Sequence, residues 1–374
     1  MQNQSEIIEK TNRLVQMLNA ENLGGVLLNS QHNFAWLTSG KKNGVDISRE
    51  NGISSLLIRN DGQRFLLANQ IEMPRMLAEE VSHLDFEPIE FAWETEKTNP
   101  NLVLETAQSL IEKDSTLATD IFFNPNFRVV EGQIARCRFQ LTTNEIERFQ
   151  QLGKDAGEIL GEIYTKIEVG QTENEITEIV RFELGKRQIN AVVTLVAADE
   201  RIANFRHPIP TENVWKKVLL IVVCAKRYGL IASLSRIFCV GELSNELRLR
   251  TDAVAKVHAR MMHATRPNST GKEIFEVTKK AYADVGFPNE EAKHHQGGAC
   301  GYKTRDWVAH SMSNEQVMLN QAFAWNPSIT GTKSEDTFIV LENGIEVITA
   351  SPNFPKFSTV IDGIEYLTPD ILVL

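Results

Sequence analysis

HHQGGACGYKTRDW at residues 294–307, followed by QAFAWNPSITGTKSEDTFIV at 321–340, is the stretch from which the fold is read. It sets two adjacent histidines, a run of glycines, an Arg–Asp pair, an Asn–Pro and a Glu–Asp among short apolar segments. Polar groups at this density between apolar segments need partners or a ligand, because a buried polar group left unpaired costs about 1–3 kcal/mol. One reading is a glycine-rich hairpin region whose side chains satisfy one another; the other is a ligand site. Residues 323–325, 337–341 and 345–349 read as strands.

Upstream of this stretch, Arg266-Pro-Asn-Ser-Thr270-Gly-Lys-Glu273 carries a capping box. In it a threonine side chain and a glutamate three residues on satisfy each other's free N–H groups. The box follows a long helix expected over 247–265 and opens another over 274–285. The same order occurs earlier in the chain. Thr142-Thr-Asn-Glu145 opens a long helix expected over 146–167, and Thr172-Glu-Asn-Glu175 caps a helix running to Gln188. Each copy reads long helix, short loop, Thr-x-x-Glu, amphipathic helix, strand. The repeat implies a domain of two similar halves, with any site between them drawing on strands of both. Further strands are expected at 191–197, 218–223, 230–235 and 238–240. The whole reads as an antiparallel-rich sheet covered by two helix pairs.

Ahead of Thr142 the pattern is α/β. Helices are expected over 5–20 (from the spacing of Ile7, Ile8, Val15 and Leu18), 74–81 and 101–112. Strands are expected at 24–29, 53–58, 65–68 and near 86–89, with a turn at Arg59-Asn-Asp-Gly62. The domain boundary is expected at 140, giving domains 1–140 and 141–374 in an α+β chain.

Composition narrows the function classes. The 374 residues are 42% hydrophobic and 24% charged with a net charge of −10, and no basic block is visible. Nucleic acid and anionic membrane surfaces are therefore not expected partners. Cys137, Cys224, Cys239 and Cys300 are scattered without a Cys-x-x-Cys, which points to a reducing compartment rather than a disulfide framework. The polar N-terminus lacks the basic and apolar regions of a signal peptide, and no apolar run reaches membrane-helix length. The expectation is a soluble, cytoplasmic protein.

Several residues are candidates for chemistry. His207, between Arg206 and Pro208, is held off regular structure by neighbouring prolines, as a positioned acid/base would be; a plain surface histidine fits equally. His294 and His295, if on one strand, point to opposite faces, so one of them at most serves a site. Gly297, Gly298 and Gly301 allow close approach of backbone to a ligand. Glu335 and Asp336 alternate faces before a strand, so one carboxylate points inward. Arg305 suits a substrate carboxylate, or pairs locally with Asp306. Cys300 reads as a small buried hydrophobe rather than a nucleophile, and Lys226-Arg227 as a solvated turn.

These features together resemble the pita-bread family of methionine aminopeptidase, prolidase, aminopeptidase P and creatinase. Asn33–Gly40 is similar to the family's N-domain Asn-x-x-Tyr-x-(Thr/Ser)-Gly stretch, with Trp36 at the aromatic position. Arg206-His207-Pro208 resembles its active-site histidine loop. Tyr228–Arg236 resembles its Gly-Tyr-x-x-Asp-x-Thr-Arg strand pair, Gln296–Gly301 its Gly-His-Gly-x-Gly strand, Ala324–Pro327 its Glu-Pro-Gly turn, and Ser334–Asp336 its closing Glu-Asp. The resemblance implies an α/β N-terminal domain followed by a duplicated pita-bread domain.

The peptidases of that family hold two metal ions with two aspartates, a histidine and two glutamates. Carried over by position, these fall at Val222, Ser233, Gly298, Asn326 and Glu335, and a further histidine falls at Arg305. One carboxylate cannot hold a dinuclear centre, so no metal and no other cofactor is expected. The metal-free creatinase branch then implies a hydrolase acting on a C–N bond of a small, carboxylate-bearing molecule. His207 and Glu335 would be catalytic, while Asn326, Arg305, His295 and Gly298 would bind substrate. Arg49, in a segment resembling creatinase's substrate-binding loop, would act across a homodimer. Two alternatives stay open: a prolidase-like metallopeptidase with a site rebuilt from His294, His295, Glu335 and Asp336, and a non-catalytic binding protein.

Overall fold

A computed structural model describes residues 2–374, which divide into two compact units, 2–144 and 145–374. The first is built on a mixed six-stranded sheet in the spatial order Glu87–Phe91, Arg64–Asn69, Asn51–Arg59, Gly25–Ser30, Leu117–Thr119, Arg128–Val129. Its apolar runs supply the core, where Leu27, Leu57, Leu67 and Leu117 pack with Leu104 and Ala107 of the helix Leu102–Ser109. The first helix, Gln2–Ala20, buries Ile7, Leu14 and Leu18 and leaves Ile8 49% exposed. Of the four residues from which the helix was read, Ile7 and Leu18 are on the buried face and Val15 at its edge, while Ile8 stands off the stripe that 7, 14 and 18 share.

Asn33 lies on the helix Gln31–Leu37, capped by Ser30. Buried Asp120 accepts hydrogen bonds from the amides of Asn29 (2.9 Å) and Ser30 (3.0 Å), the Ser30 hydroxyl (2.5 Å) and the Asn33 amide group (3.0 Å). This stretch of the first unit is thus a polar lock around one carboxylate. Arg49 sits on an exposed loop with its guanidinium 3.1 Å from Asp46.

The second unit holds two main sheets rather than the single one expected. One runs Ile371–Val373, Leu230–Cys239, Val218–Arg227, Asn190–Ala198; the other Trp307–Val308, Gly297–Cys300, Ala322–Trp325, Asp336–Leu341, Gly344–Val347. They meet where the Ile231 amide donates to the Gly301 carbonyl (2.8 Å) and the Ser235 amide to the Glu335 carbonyl (3.1 Å). Residues 230–239 form one strand, although Ser235-Arg236 had suggested a break. Arg236 is fully buried, bonded to Asp336 (3.0 Å) and the Thr349 carbonyl (2.7 Å), so its charge does not end the strand. A hairpin at Lys356–Ile361 and Ile364–Pro369, absent from the sequence reading, completes the unit.

The duplication is visible in matching hydrogen bonds. Both Thr172 and Thr270 close full capping boxes. In the first half the amides of Glu173 and Asn174 donate to the carbonyls of Asn213 and Thr211; in the second, Gly271 and Lys272 donate to Glu315 and Ser313. Each capping threonine also forms a bridge to a returning chain, Thr172 with Val214 and Thr270 with Gln316.

The helix Thr143–Glu162 carries glycines at 153, 157 and 161, four residues apart and so on one face. The chain 348–351 lies directly on that face. A Cβ on Gly153 would sit 2.5 Å from the Ile348 carbonyl oxygen, and one on Gly157 2.6 Å from that of Thr349. The Ser351 hydroxyl donates to the Gly157 carbonyl at 2.5 Å. No helix among the described residues is long and apolar enough to cross a membrane.

Candidate active site

Glu335 is the centre of the second unit's polar cluster, only 2% exposed just before the strand Asp336–Leu341. Its carboxylate accepts hydrogen bonds from Lys333 Nζ (2.7 Å), the Ser235 hydroxyl (2.6 Å) and Arg305 Nη2 (3.2 Å). Burial alone would raise its pKa, but the charges of Lys333 and Arg305 outweigh burial and hold it at about 2. Asp336 turns the other way, to Arg236 and Thr349, as strand alternation requires. Arg305 also donates to the Ser233 hydroxyl (3.2 Å) and the Thr304 carbonyl (2.6 Å).

Lys333 escaped the sequence reading. The signal was present, because residues two apart in extended chain share a face, and Lys333 stands two before Glu335. His258 also escaped it. Its ring is fully buried, with Nδ1 2.8 Å from the Ser334 hydroxyl, and burial lowers its pKa to about 4.

Three histidines converge beside this cluster. His207 Nε2 lies 3.0 Å from His294 Nε2, and the rings of His294 and His295 are 4.4 Å apart at 31°. The expectation that these neighbours point to opposite faces is corrected, since they precede the strand that begins at Gly297 and pleat alternation does not govern them. Burial, then the charge of Lys333, lowers the His207 pKa. Burial foremost also lowers His294 to about 3 and His295 to about 4.

The convergence is built by Arg206. Its guanidinium is 2.7 Å from Glu290, on the turn Glu290–Lys293 that leads into His294, and 2.9 Å from the Thr330 hydroxyl. That ion pair clamps the His207 loop to the His294 segment.

Asn326 is buried, and its side-chain oxygen has no hydrogen-bond partner among the described residues. Gly298 has a reason in the sheet itself: a Cβ there would lie 1.9 Å from the Trp307 carbonyl oxygen. Cys300 is buried, its thiol pushed up to about 12 by burial, and it packs rather than reacts. Arg227 is not a solvated turn residue, for it pairs with Asp155 at 2.7 Å.

A two-metal centre does not fit this site. At its expected positions Val222, Ser233, Gly298 and Asn326 offer no anionic or imidazole ligand, and the one carboxylate, on Glu335, already carries two cations.

Residues 147–348 match the model of metallopeptidase family M24. A peptidase of Staphylococcus saprophyticus described as uncharacterized is 22% identical over 312 residues, 79% of this chain and 87% of the relative. A Xaa-Pro dipeptidase of Pyrococcus furiosus is 21% identical over 232 residues, 60% of this chain and 66% of the relative. Among solved structures, a dipeptidase from Pyrococcus horikoshii OT3 superposes with a TM-score of 0.79 at 15% identity, over 98% of this chain and 100% of that one.

Proposed function

Because this chain belongs to metallopeptidase family M24, we propose that it hydrolyses the C–N bond of a small carboxylate-bearing amide, dipeptides being the first class to test. The dipeptidase relatives favour a dipeptide over the guanidino compound that the creatinase resemblance implied. The observation that carries the reading is the pair of fixed cations, Lys333 and Arg305, on buried Glu335. Two cations and one carboxylate leave a net positive charge in a largely desolvated place. Such a site attracts a substrate carboxylate and stabilises charge developing on an amide oxygen.

In this reading His207, which is exposed and of lowered pKa, takes a proton from water as the water oxygen attacks the amide carbon. The same proton passes to the leaving nitrogen as the C–N bond breaks. Asn326 offers its unpartnered oxygen to a substrate N–H. His295 and the backbone around Gly298 border the bound molecule. A homodimer in which Arg49 of one copy serves the partner's site belongs to the same proposal; gel filtration and Arg49→Ala kinetics test it.

The main test is a panel of dipeptides, including Xaa-Pro, with creatine and N-acyl amino acids beside them. Released product is read by mass spectrometry. Turnover of a free-acid dipeptide, lost on C-terminal amidation and reduced at least ~100-fold in His207→Ala, is expected, in line with the usual worth of a general base. Calorimetric binding without turnover would replace this reading with a binding protein, which the four substituted ligand positions favour. Neither binding nor turnover across the panel would defeat both.

A further inference from the structure

We propose that His207, His294 and His295 together hold a single transition-metal ion, at a place distinct from the five positions of the family's two-metal centre. Each of the three offers one ring nitrogen, and these atoms all lie within 4.8 Å of one another. A tetrahedral ion with metal–nitrogen bonds of about 2.0–2.1 Å separates its ligand atoms by roughly 3.3 Å. The closest pair here, His207 and His294, stands at 3.0 Å. Small ring rotations bring the set to coordination distance.

Two further observations favour a metal over a chance gathering. First, the set is held by a dedicated support. The Arg206–Glu290 ion pair ties the His207 loop to the turn before His294, and Glu290 also accepts from the Thr330 amide at 3.0 Å. Ligands fixed in advance lose little entropy on binding. Second, the Nε2 atoms of His207 and His294 face each other at 3.0 Å, so between neutral rings only one can donate to the other, whereas a metal ion accepts the lone pairs of both. Imidazole is mostly neutral at pH 7, the form that ligates, and three imidazoles match borderline ions such as Zn²⁺ and Co²⁺ rather than Mg²⁺ or Ca²⁺.

The surroundings specify the remaining ligand. Lys333 and Arg305 are engaged with Glu335, and the group of three carries one net positive charge. A divalent ion placed beside it is under-neutralised by protein. Its open position therefore selects an anion, either hydroxide or the carboxylate of a small molecule. Three protein ligands with one open position is the arrangement of a catalytic rather than a structural zinc site.

The test is titration of the metal-stripped full chain with Zn²⁺ and with Co²⁺, reading stoichiometry by elemental analysis and the ligand-field absorbance of Co²⁺. One equivalent per chain is expected. His207→Ala, His294→Ala and His295→Ala are each expected to weaken binding at least ~100-fold, whereas Glu335→Gln shifts it by only a few-fold. X-ray absorption on the wild-type zinc form guards against misfolded variants, with imidazole outer-shell scattering expected from three histidines. No binding at micromolar metal, two equivalents bound, loss of binding in Glu335→Gln but not in the histidine variants, or absence of imidazole scattering would each overturn the site. None of these readouts uses turnover. Ligation takes up the His207 ring nitrogen that the proposed function uses as a base, so one copy of the protein does one or the other. Hydrolysis by the metal-free protein that metal suppresses would support both readings, hydrolysis with no metal binding would leave that function standing without this site, and a loaded site with no hydrolysis in the metal-free protein would sink only the proposed function.

Discussion

Lys333 Nζ lies 2.7 Å from Glu335 Oε2, with both side chains buried and only Ser334 between them in the chain. A buried carboxylate stripped of its cation costs about 3–5 kcal/mol, because the charge remains without compensation. Arg305 remains on Glu335 and softens that cost. Lys333→Met is therefore expected to destabilise by about 2–4 kcal/mol, and Lys333→Met with Glu335→Gln by less than the single change. Urea denaturation of the two variants checks this. A double variant as unstable as the sum of the two single changes would mean that the pair is not coupled.

His258 makes stability depend on pH. Burial holds its folded pKa at about 4, below the ordinary 6.5, so the unfolded chain takes up a proton first. Its contribution is complete above pH 6.5, declines as pH falls towards 4, and is level below that. The span is on the order of 3 kcal/mol. His258→Asn should remove this slope, so that the drop in unfolding free energy between pH 7.5 and 4.5 is smaller in the variant. Equal drops would place the histidine in contact with water.

Gly157 and Gly185 make a matched pair. Alanine is the better helix former by about 1 kcal/mol. At Gly185 nothing stands within 4 Å of an added Cβ, so Gly185→Ala should gain up to about 1 kcal/mol. At Gly157 the Cβ would meet the Thr349 carbonyl oxygen at 2.6 Å, so Gly157→Ala should lose about 1–3 kcal/mol despite the propensity. Thermal melts that rank the two in the other order would refute the close packing.

The two capping boxes predict equal effects. Thr172→Ala and Thr270→Ala each remove a side-chain acceptor for the third amide of a helix. Each should cost about 1 kcal/mol, and the double variant about 2, since the sites share no partner. A cost confined to one site would show that the halves are not energetically alike.

What was legible in the sequence was local. The capping boxes at Thr172 and Thr270 declare themselves within four residues, and both form. The alternation of Glu335 and Asp336 is equally local, and it holds. The histidine cluster was not legible, because it depends on residues 87 apart in the chain. What joins them is an ion pair between Arg206 and Glu290 that no periodicity announces. The strands expected at 230–235 and 238–240 are joined in one strand, 230–239, that carries buried Arg236. Only the tertiary structure supplies Asp336 as its buried partner. The hairpin 356–369 exposes large apolar residues, Val360, Ile364 and Leu367, so apolar character does not mark its buried face and left little pattern to read.

The glycine face of the helix Thr143–Glu162 bears on how the protein is made. A ribosome delivers this helix long before residues 348–351, the chain that lies on it. Until then its three glycines lower its intrinsic helicity, each by about 1 kcal/mol relative to alanine. The opening helix of the second unit must therefore wait, unsupported, for a segment 194 residues further on. Nascent chains halted at residue 340 are expected to show a protease-resistant first unit and a second unit still open to digestion. Delivery of residues 348–351, rather than completion of either half, is then the event that commits the second unit to its fold.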